Sequence, residues 1–510
     1  MPGTAPEPML AAGGTVGRLF AEEVRRGPER IALDDERGTV GYGQLHARAM
    51  RAASLLETYG VRRGDAVAIL SENRREYVEL LLGCAWIGAV LACPNTRGSS
   101  EELGHALRLS AASVAFVSER FEQAFRQARH EIGRTVVFGE PYEAALRSAT
   151  DRVPPESAES EDILVILYTS GTTGFAKGAA ISHRAMVARC LISIVDATVF
   201  PGSTFLGWAP FFHMAGADNV LATLMTGGKV VVMDGFDAGR LIDRLEREPV
   251  GLLSLMPATV QPLLDAYRGT PSRPKGVSLV GSMADLVPPA LLAEITERVG
   301  APYRNSFGST ETGPAPASRG RIPIGVAPES FAKTQSSFCA LRLVDPEGAD
   351  VEDGEPGEAL VRSPTMFSGY WRMPELDSEI FAGGWYRMGD VLRRNPDGTL
   401  DFVDRRKYLI KSGGENIYPA EIERLLASSP DVAEAVVVRR PDARWGEVPV
   451  AFVVARRAGL QAADVISLCR GRVASFKVPK DVVFVAAEDI PRSATGKIKR
   501  HELEARLQAT

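Results

Sequence analysis

Cysteine is scarce in this chain, and the little there is forms no pattern. The five cysteines, Cys84, Cys93, Cys190, Cys339 and Cys469, are odd in number and scattered, without a CxxC pair. That excludes a disulfide framework and a zinc site and fits a reducing cytoplasm. Histidine is as sparse: the six residues include no HExxH or similar close pair, so any metal is expected to arrive with a substrate. A charge excess is missing too. With 59 Lys+Arg against 64 Asp+Glu and a net charge of -5, nothing points to a nucleic-acid surface. No apolar run is long enough to cross a membrane; the longest, 80–94, falls short of the ~20 residues a spanning helix needs and ends at a proline. It reads as a buried helix running into a strand. Residues 1–15 lack the basic segment and apolar stretch of a secretory leader. No short repeat or long low-complexity tract is present.

At 510 residues the chain exceeds one ordinary core, and about two to four domains or subdomains are expected. What is present is alternation. Apolar β-rich runs at 66–70, 114–117, 164–168, 230–233 and 252–255 alternate with helix-like stretches such as 77–88, which predicts an α/β architecture with mainly parallel sheets. Residues 151–161, polar with a Pro-Pro pair, read as a surface linker. From residue 340 onward, turn signals at 345–348, 352–358 and 395–398 separate short strands and predict a β-rich subdomain. A helix at 420–428, strands at 435–440 and 450–456 and a helical tail then suggest a small α+β domain.

Residues 163–178 read ILVILYTSGTTGFAKG: an apolar strand, a loop dense in hydroxyls and glycines, then one lysine. Glycines let backbone N–H groups approach an anion, Ser170, Thr172 and Thr173 offer hydroxyls and Lys177 offers charge. The segment suits a triphosphate. It is not GxxxxGK[ST], because Gly178 follows Lys177, so a Walker-type NTPase is disfavoured.

The string YTSGTTGFAKG resembles the signature loop of the adenylate-forming (ANL) superfamily, which includes acyl- and aryl-CoA synthetases, luciferases and adenylation domains of nonribosomal peptide synthetases. Further strings stand in that family's order: APFFHMAG at 209–216, NSFGSTETG at 305–313, GEALVRSP at 357–364, GWYRMGD at 384–390, DFVDRRKYLIKSGGENIYPAEIE at 401–423 and PRSATGKIKR at 491–500. The resemblance implies a large N-terminal adenylating domain over 1–404, with acid and ATP sites and a β-rich subdomain. A hinge at 405–407 and a small mobile α+β lid domain over 408–510 follow. It further implies an ATP-dependent carboxylic acid–CoA ligase that forms acyl-AMP and then a thioester, with ATP, Mg²⁺ and coenzyme A as cofactors.

Activation of a carboxylate by ATP joins two negative groups, so placed cations and hydrogen bonds are needed. By resemblance, Thr169, Ser170, Gly171, Thr172, Thr173, Gly174 and Lys177 hold phosphate. Glu311 holds Mg²⁺ and Thr310 bonds the α-phosphate. Asn305 and Phe307 bind the nucleotide, Phe307 presenting its aromatic face to adenine where tyrosine is common. Asp390 accepts from the ribose hydroxyls, Arg405 adds a ribose or phosphate contact, and Lys497 bridges the α-phosphate and the acid in the first step. Lys407 is the hinge about which the lid turns between steps, Gly413 and Gly414 line the thiol channel with Lys411 nearby, and His213 gates the wall between acid and thiol.

The same resemblance places Ala215, Gly216, Gly281, Ser282 and Met283 at the acid pocket, and their small size predicts a large, mainly apolar acid, aryl, polycyclic or medium-chain, rather than acetate. The other reading of Ala215 and Gly216 is close helix packing. The chain departs from the family pattern at Ala176, at GSMAD over 281–285 and at AKTQSSF over 332–338. The expected partners are small molecules: a carboxylic acid, ATP and CoA. Competing readings are a ligase loading a carrier protein in trans, an amino-acid adenylation domain using Asp218, a luciferase-like oxygenase and a nonenzymatic nucleotide-binding homologue. A homodimer is left open.

Overall fold

The structure, a computed structural model, describes residues 14–149, 152–169, 176–270, 273–285, 287–413, 415–492 and 498–508. Of these, the residues up to Ala340 together with Val361–Tyr386 form one compact unit, and Leu341–Leu360 with the chain from Arg387 form a second. The chain thus passes between the units more than once, along the strands Pro356–Arg362 and Trp385–Arg394.

The first unit holds two large sheets. In one, six strands run in the order Arg134–Val137, Val114–Val117, Ala66–Leu70, Val90–Cys93, Ile163–Thr169, Lys177–Ser182. All neighbours are parallel except the last pair. Its inner strands are apolar throughout because helices cover both faces; Ala66–Leu70 and Val114–Val117 are buried at every position. The helix Arg75–Ile87 ends at Gly88, whose φ of +68° favours glycine, and turns directly into Val90–Cys93. This is the helix-into-strand expected for the apolar run at 80–94.

The other sheet has eight strands in the order Gly313–Ile322, Tyr303–Ser309, Val277–Val280, Val250–Leu253, Thr204–Gly207, Lys229–Val232, Ile31–Asp35, Gly38–Gly41. It is parallel within and antiparallel at both edges. Its core includes Leu206, Val231, Leu253 and Val280, with Tyr303 fully enclosed beside them. Two helices that matter for the site meet here: His183–Val195 and Met214–Met225. The first is tied to the chain's start, since Val16 N–H donates to His183 Nδ1 at 3.1 Å. Burial pushes the His183 pKa down to about 4, so the ring stays neutral.

In the second unit, the strands Ile410–Ser412, Glu415–Ile417, Val432–Asp442, Gly446–Ala455 and Asp481–Phe484 form one sheet. The helix Pro419–Ala427 contributes Ile422 and Leu426 to its core. The remaining α+β elements, Ala462–Cys469 and Arg500–Gln508, follow the expected order. Among the described residues, no helix is long and apolar enough to cross a membrane.

Candidate active site

The hydroxyl- and glycine-rich loop hangs between two antiparallel strands, with Thr169 directly opposite Lys177. Ser170, Gly171, Thr172, Thr173 and Gly174 lie outside the described residues, while the stem that presents them is described. A further segment docks along the outer strand. Ala180 N–H donates to the Gly369 carbonyl at 3.0 Å, Ser368 N–H to that of Ala180 at 2.8 Å, and Trp371 N–H to that of Gly178 at 2.7 Å. Gly369 has φ +117°, and a Cβ there would meet the Asp377 carboxylate at 2.4 Å. Asp377 in turn accepts from the Tyr370 N–H at 2.8 Å.

Tyr370 gathers the charged groups. Its hydroxyl donates to Glu311 Oε1 at 2.8 Å, and Lys177 Nζ sits 5.1 Å from its ring centre. The Thr169 hydroxyl donates to the same Oε1 at 3.4 Å. Burial and then the Glu311 charge push the Tyr370 pKa well up, which keeps the hydroxyl a donor. Both hydrogen bonds fall on Oε1, leaving Oε2 without a partner among the described residues. One open carboxylate oxygen beside the stem of the hydroxyl-rich loop would suit Mg²⁺, which takes few protein ligands and completes its shell from phosphates and water. No group of three or more His, Cys, Asp or Glu that could hold a metal occurs among the described residues.

Arg189, buried within the helix His183–Val195, fixes the neighbouring loop. Its Nη2 donates to the Thr310 carbonyl at 2.8 Å, its Nε to that of Thr365 at 3.0 Å, and its Nη1 reaches both Asp218 oxygens at 3.2 and 3.3 Å. Asp218 is therefore already paired, which takes from the amino-acid adenylation reading its candidate partner for an α-amine.

Of the residues expected to meet the nucleotide, Phe307 stands opposite Ala317 on the edge strand pair. Asn305 is buried with its amide engaged inside the protein: Nδ2 donates to the Phe331 and Ala332 carbonyls at 3.1 and 3.0 Å, and Oδ1 accepts from Lys333 Nζ at 2.7 Å. Both amide hydrogens are spent, so none is left for a nucleotide. Lys333 also pairs with Asp285 at 2.7 Å, its own side chain only 2% exposed. The two segments that depart from the family pattern, GSMAD and AKTQSSF, are thus partners of one another. A cation so enclosed is tolerated only when paired and hydrogen-bonded.

At the expected acid pocket, His213 caps the helix Met214–Met225, its Nδ1 accepting the Ala215 N–H at 3.2 Å. This bond holds the neutral ring in the Nε2–H tautomer. Gly216 is required by packing, since a Cβ would lie 2.2 Å from the Pro210 carbonyl oxygen. Gly281 has φ +74°, and a Cβ there would enter the Tyr303 ring at 2.0 Å. The carbonyl of Ser282 accepts from the Ser306 hydroxyl at 2.8 Å, and Met283 is exposed.

In the second unit, Asp390 and Arg405 face one another across adjacent strands and pair at 3.1 Å. Lys407 lies exposed in the short turn Arg406–Tyr408. Asp404, just before it, accepts the Arg405 N–H at 2.6 Å and the Ala420 N–H at 2.8 Å, capping the first turn of Pro419–Ala427. Lys407 and Lys411 line a cavity of about 1080 Å³ with Arg406 and Tyr418. Gly413 has φ +60°, and its position is closed by the Trp445 ring, 2.7 Å from where a Cβ would stand. Gly414 and Lys497 lie outside the described residues.

Tyr370 and Arg189 were not found from the sequence. For Tyr370 the available signal was the Gly369-Tyr370-Trp371 string just after the GEALVRSP motif. Arg189 carried none, being one arginine in an apolar helix.

The sequence pattern of the family described as AMP-binding enzyme matches residues 20–371, and that of the AMP-binding enzyme C-terminal domain matches 421–497. An indoleacetate–CoA ligase of Aromatoleum aromaticum is 35% identical over 494 residues, spanning 93% of this chain and 95% of that protein. A feruloyl-CoA synthase of Amycolatopsis sp is 35% identical over 496 residues, spanning 96% and 99%. Among solved structures, o-succinylbenzoate CoA synthetase from Bacillus subtilis in complex with the acyl-adenylate intermediate superposes with a TM-score of 0.84 at 28% identity, covering 95% of this chain and 97% of that one. The complex of the same synthetase with ATP and magnesium ion gives a TM-score of 0.81 at 27% identity, covering 96% and 99%.

Proposed function

The chain belongs to the family of AMP-binding enzymes, and from that premise we infer that it is an AMP-forming acyl-CoA synthetase. A carboxylate oxygen of the acid attacks the α-phosphorus of ATP and pyrophosphate leaves, giving acyl-AMP. The thiol of coenzyme A then attacks the acyl carbon, AMP leaves, and the thiol proton passes to solvent. The observation that carries this reading is the 35% identity to two CoA ligases over nearly the whole of each chain, together with the Glu311–Tyr370–Lys177 cluster at the phosphate loop.

We assign the residues as follows. Lys177 and the loop from Thr169 receive the phosphates, and Glu311 would hold Mg²⁺. The ion would neutralise phosphate charge and polarise the P–O bonds. Thr310, set by Arg189, faces the α-phosphate, while Phe307 offers its ring to adenine. Asp390 accepts from the ribose hydroxyls, and Arg405 steadies it. Lys497 serves the first step. The chain then turns about 405–407, carrying 408–510 relative to 1–404, so that the segment of Lys411, Gly413 and Gly414 serves the thiol. His213 stands as a gate, and the acid occupies the space beside Ala215 and Ser282. The five buried, unpaired cysteines support a cytoplasmic setting.

An acid-panel screen for pyrophosphate release, with and without coenzyme A, tests the reading. ATP-dependent release with an aryl or medium-chain acid, and thioester formation when CoA is added, are expected. Acyl-AMP that moves only to a carrier protein would instead favour the competing carrier-loading reading. Light scattering reports whether a homodimer forms.

A further inference from the structure

The strand Tyr303–Ser309 sends alternate side chains to opposite faces. Tyr303 and Asn305 turn into the enclosed core, so Arg304 and Ser306 share the other face. There Arg304 Nε donates to Ser306 Oγ at 3.0 Å, and Ser306 Oγ donates to the Ser282 carbonyl at 2.8 Å. The fork of the guanidinium is thereby aimed, since one of its nitrogens is held. Its two terminal nitrogens have no protein partner among the described residues, yet neither is among the enclosed unsatisfied atoms. Burial pushes the Arg304 pKa down to about 10 while the side chain stays partly accessible. Such a group is desolvated yet still reachable from outside the protein.

The surrounding charges leave Arg304 as the excess. The charged side chains that act on it are Arg321, which repels, and Asp218, which attracts. Asp218 is claimed by Arg189 through both oxygens. Arg321, opposite Arg304 on the neighbouring strand, spends its nitrogens on the carbonyls of Asp196, Ala197, Ser318 and Gly320. A partly accessible, desolvated cation with open donors calls for an oxygen anion.

We propose that Arg304 selects the acid: it receives a second acidic oxygen, carboxylate or phenolate, at the end of the substrate remote from the carboxylate being activated. This rests on the synthetase reading and names its substrate class. Thr310 and Glu311, where activation takes place, follow the strand's far end. Arg304 to Ser309 spans roughly 16 Å of extended chain, and after subtraction of the arginine's reach one aryl ring with a short acyl arm fills the remainder. The preferred substrates are therefore aryl acids with a distal acidic group.

Pyrophosphate release from 4-carboxycinnamate, its near-isosteric 4-isopropylcinnamate and unsubstituted cinnamate, with the wild type, Arg304→Met and Arg304→Lys, tests this. The wild type should favour 4-carboxycinnamate over 4-isopropylcinnamate about tenfold or more in kcat/KM, because a site built to bond a polar group rejects the analogue without it. Arg304→Met should erase or invert that ratio while leaving 4-isopropylcinnamate within about threefold, and Arg304→Lys should restore part of it. A wild-type preference for the isopropyl acid, or equal losses on both acids in Arg304→Met, overturns the inference alone. No release from any acid overturns the synthetase reading and the inference with it.

Discussion

The two oxygens of the Glu311 carboxylate are held differently: Oε1 takes the Tyr370 and Thr169 hydroxyls, and Oε2, with no partner among the described residues, is the atom we assign to the ion that accompanies ATP. Tyr370→Phe keeps the ring under Lys177 and deletes one donor to Oε1. It should lower kcat/KM for adenylation about tenfold and raise the Mg²⁺ concentration needed for half-maximal rate. Thioester formation from supplied acyl-AMP should not change. Mg²⁺ titrations of both half-reactions check this, and an unaltered Mg²⁺ dependence removes Tyr370 from the role given it. The structure brings Glu311, Lys177 and Thr169 together around Tyr370, and these three were readable as candidates because each sits inside a string whose order carries information. Tyr370, Arg189 and Arg304 were not, because their meaning lies in which distant atoms they touch. Lys333 entered only as part of the AKTQSSF departure from the family pattern, and nothing in that string told that it is enclosed against Asp285 and Asn305.

At the scale of elements, the inner strands were legible nearly to the residue, since Ala66–Leu70 and Val114–Val117 are short β-rich runs buried on both faces. The helix Met214–Met225 was less so. Its small residues predicted pocket volume, but Gly216 is dictated by the close approach of the Pro210 carbonyl. Gly216→Ala therefore tests which role the glycine plays. Overlap with a backbone atom cannot be relieved by turning a side chain, so a loss of about 1–3 kcal/mol in stability is expected, with the ranking of acids unchanged. Thermal unfolding and the acid panel read the two separately; a stable variant that excludes only bulky acids returns the position to the pocket.

For the whole molecule, the proposed turn about 405–407 between the two half-reactions is tested by two substitutions that divide them. Lys497→Ala should lose most acyl-AMP formation yet retain thioester formation from supplied acyl-AMP. Lys407→Pro should do the reverse, because a fixed φ hinders the turn without removing an adenylation group. Equal loss of both steps in a folded Lys497→Ala protein, or normal thioester turnover in Lys407→Pro, overturns the assignment concerned. The α/β class and the order of elements were visible in the sequence, and the turn signals at 345–348, 352–358 and 395–398 already grouped residues 341–360 with chain beyond Arg387; what was not visible is that Val361–Tyr386, between them, belongs to the first unit. That interleaving bears on biosynthesis. As the polypeptide leaves the ribosome, residues 341–360 emerge before the segment that completes the first unit, and their own partners come last. At roughly 5–20 residues per second, the apolar edge of Leu343, Val344 and Leu360 waits several seconds or more for its neighbours, so the nascent chain is most open to chaperones and to mispairing over that stretch.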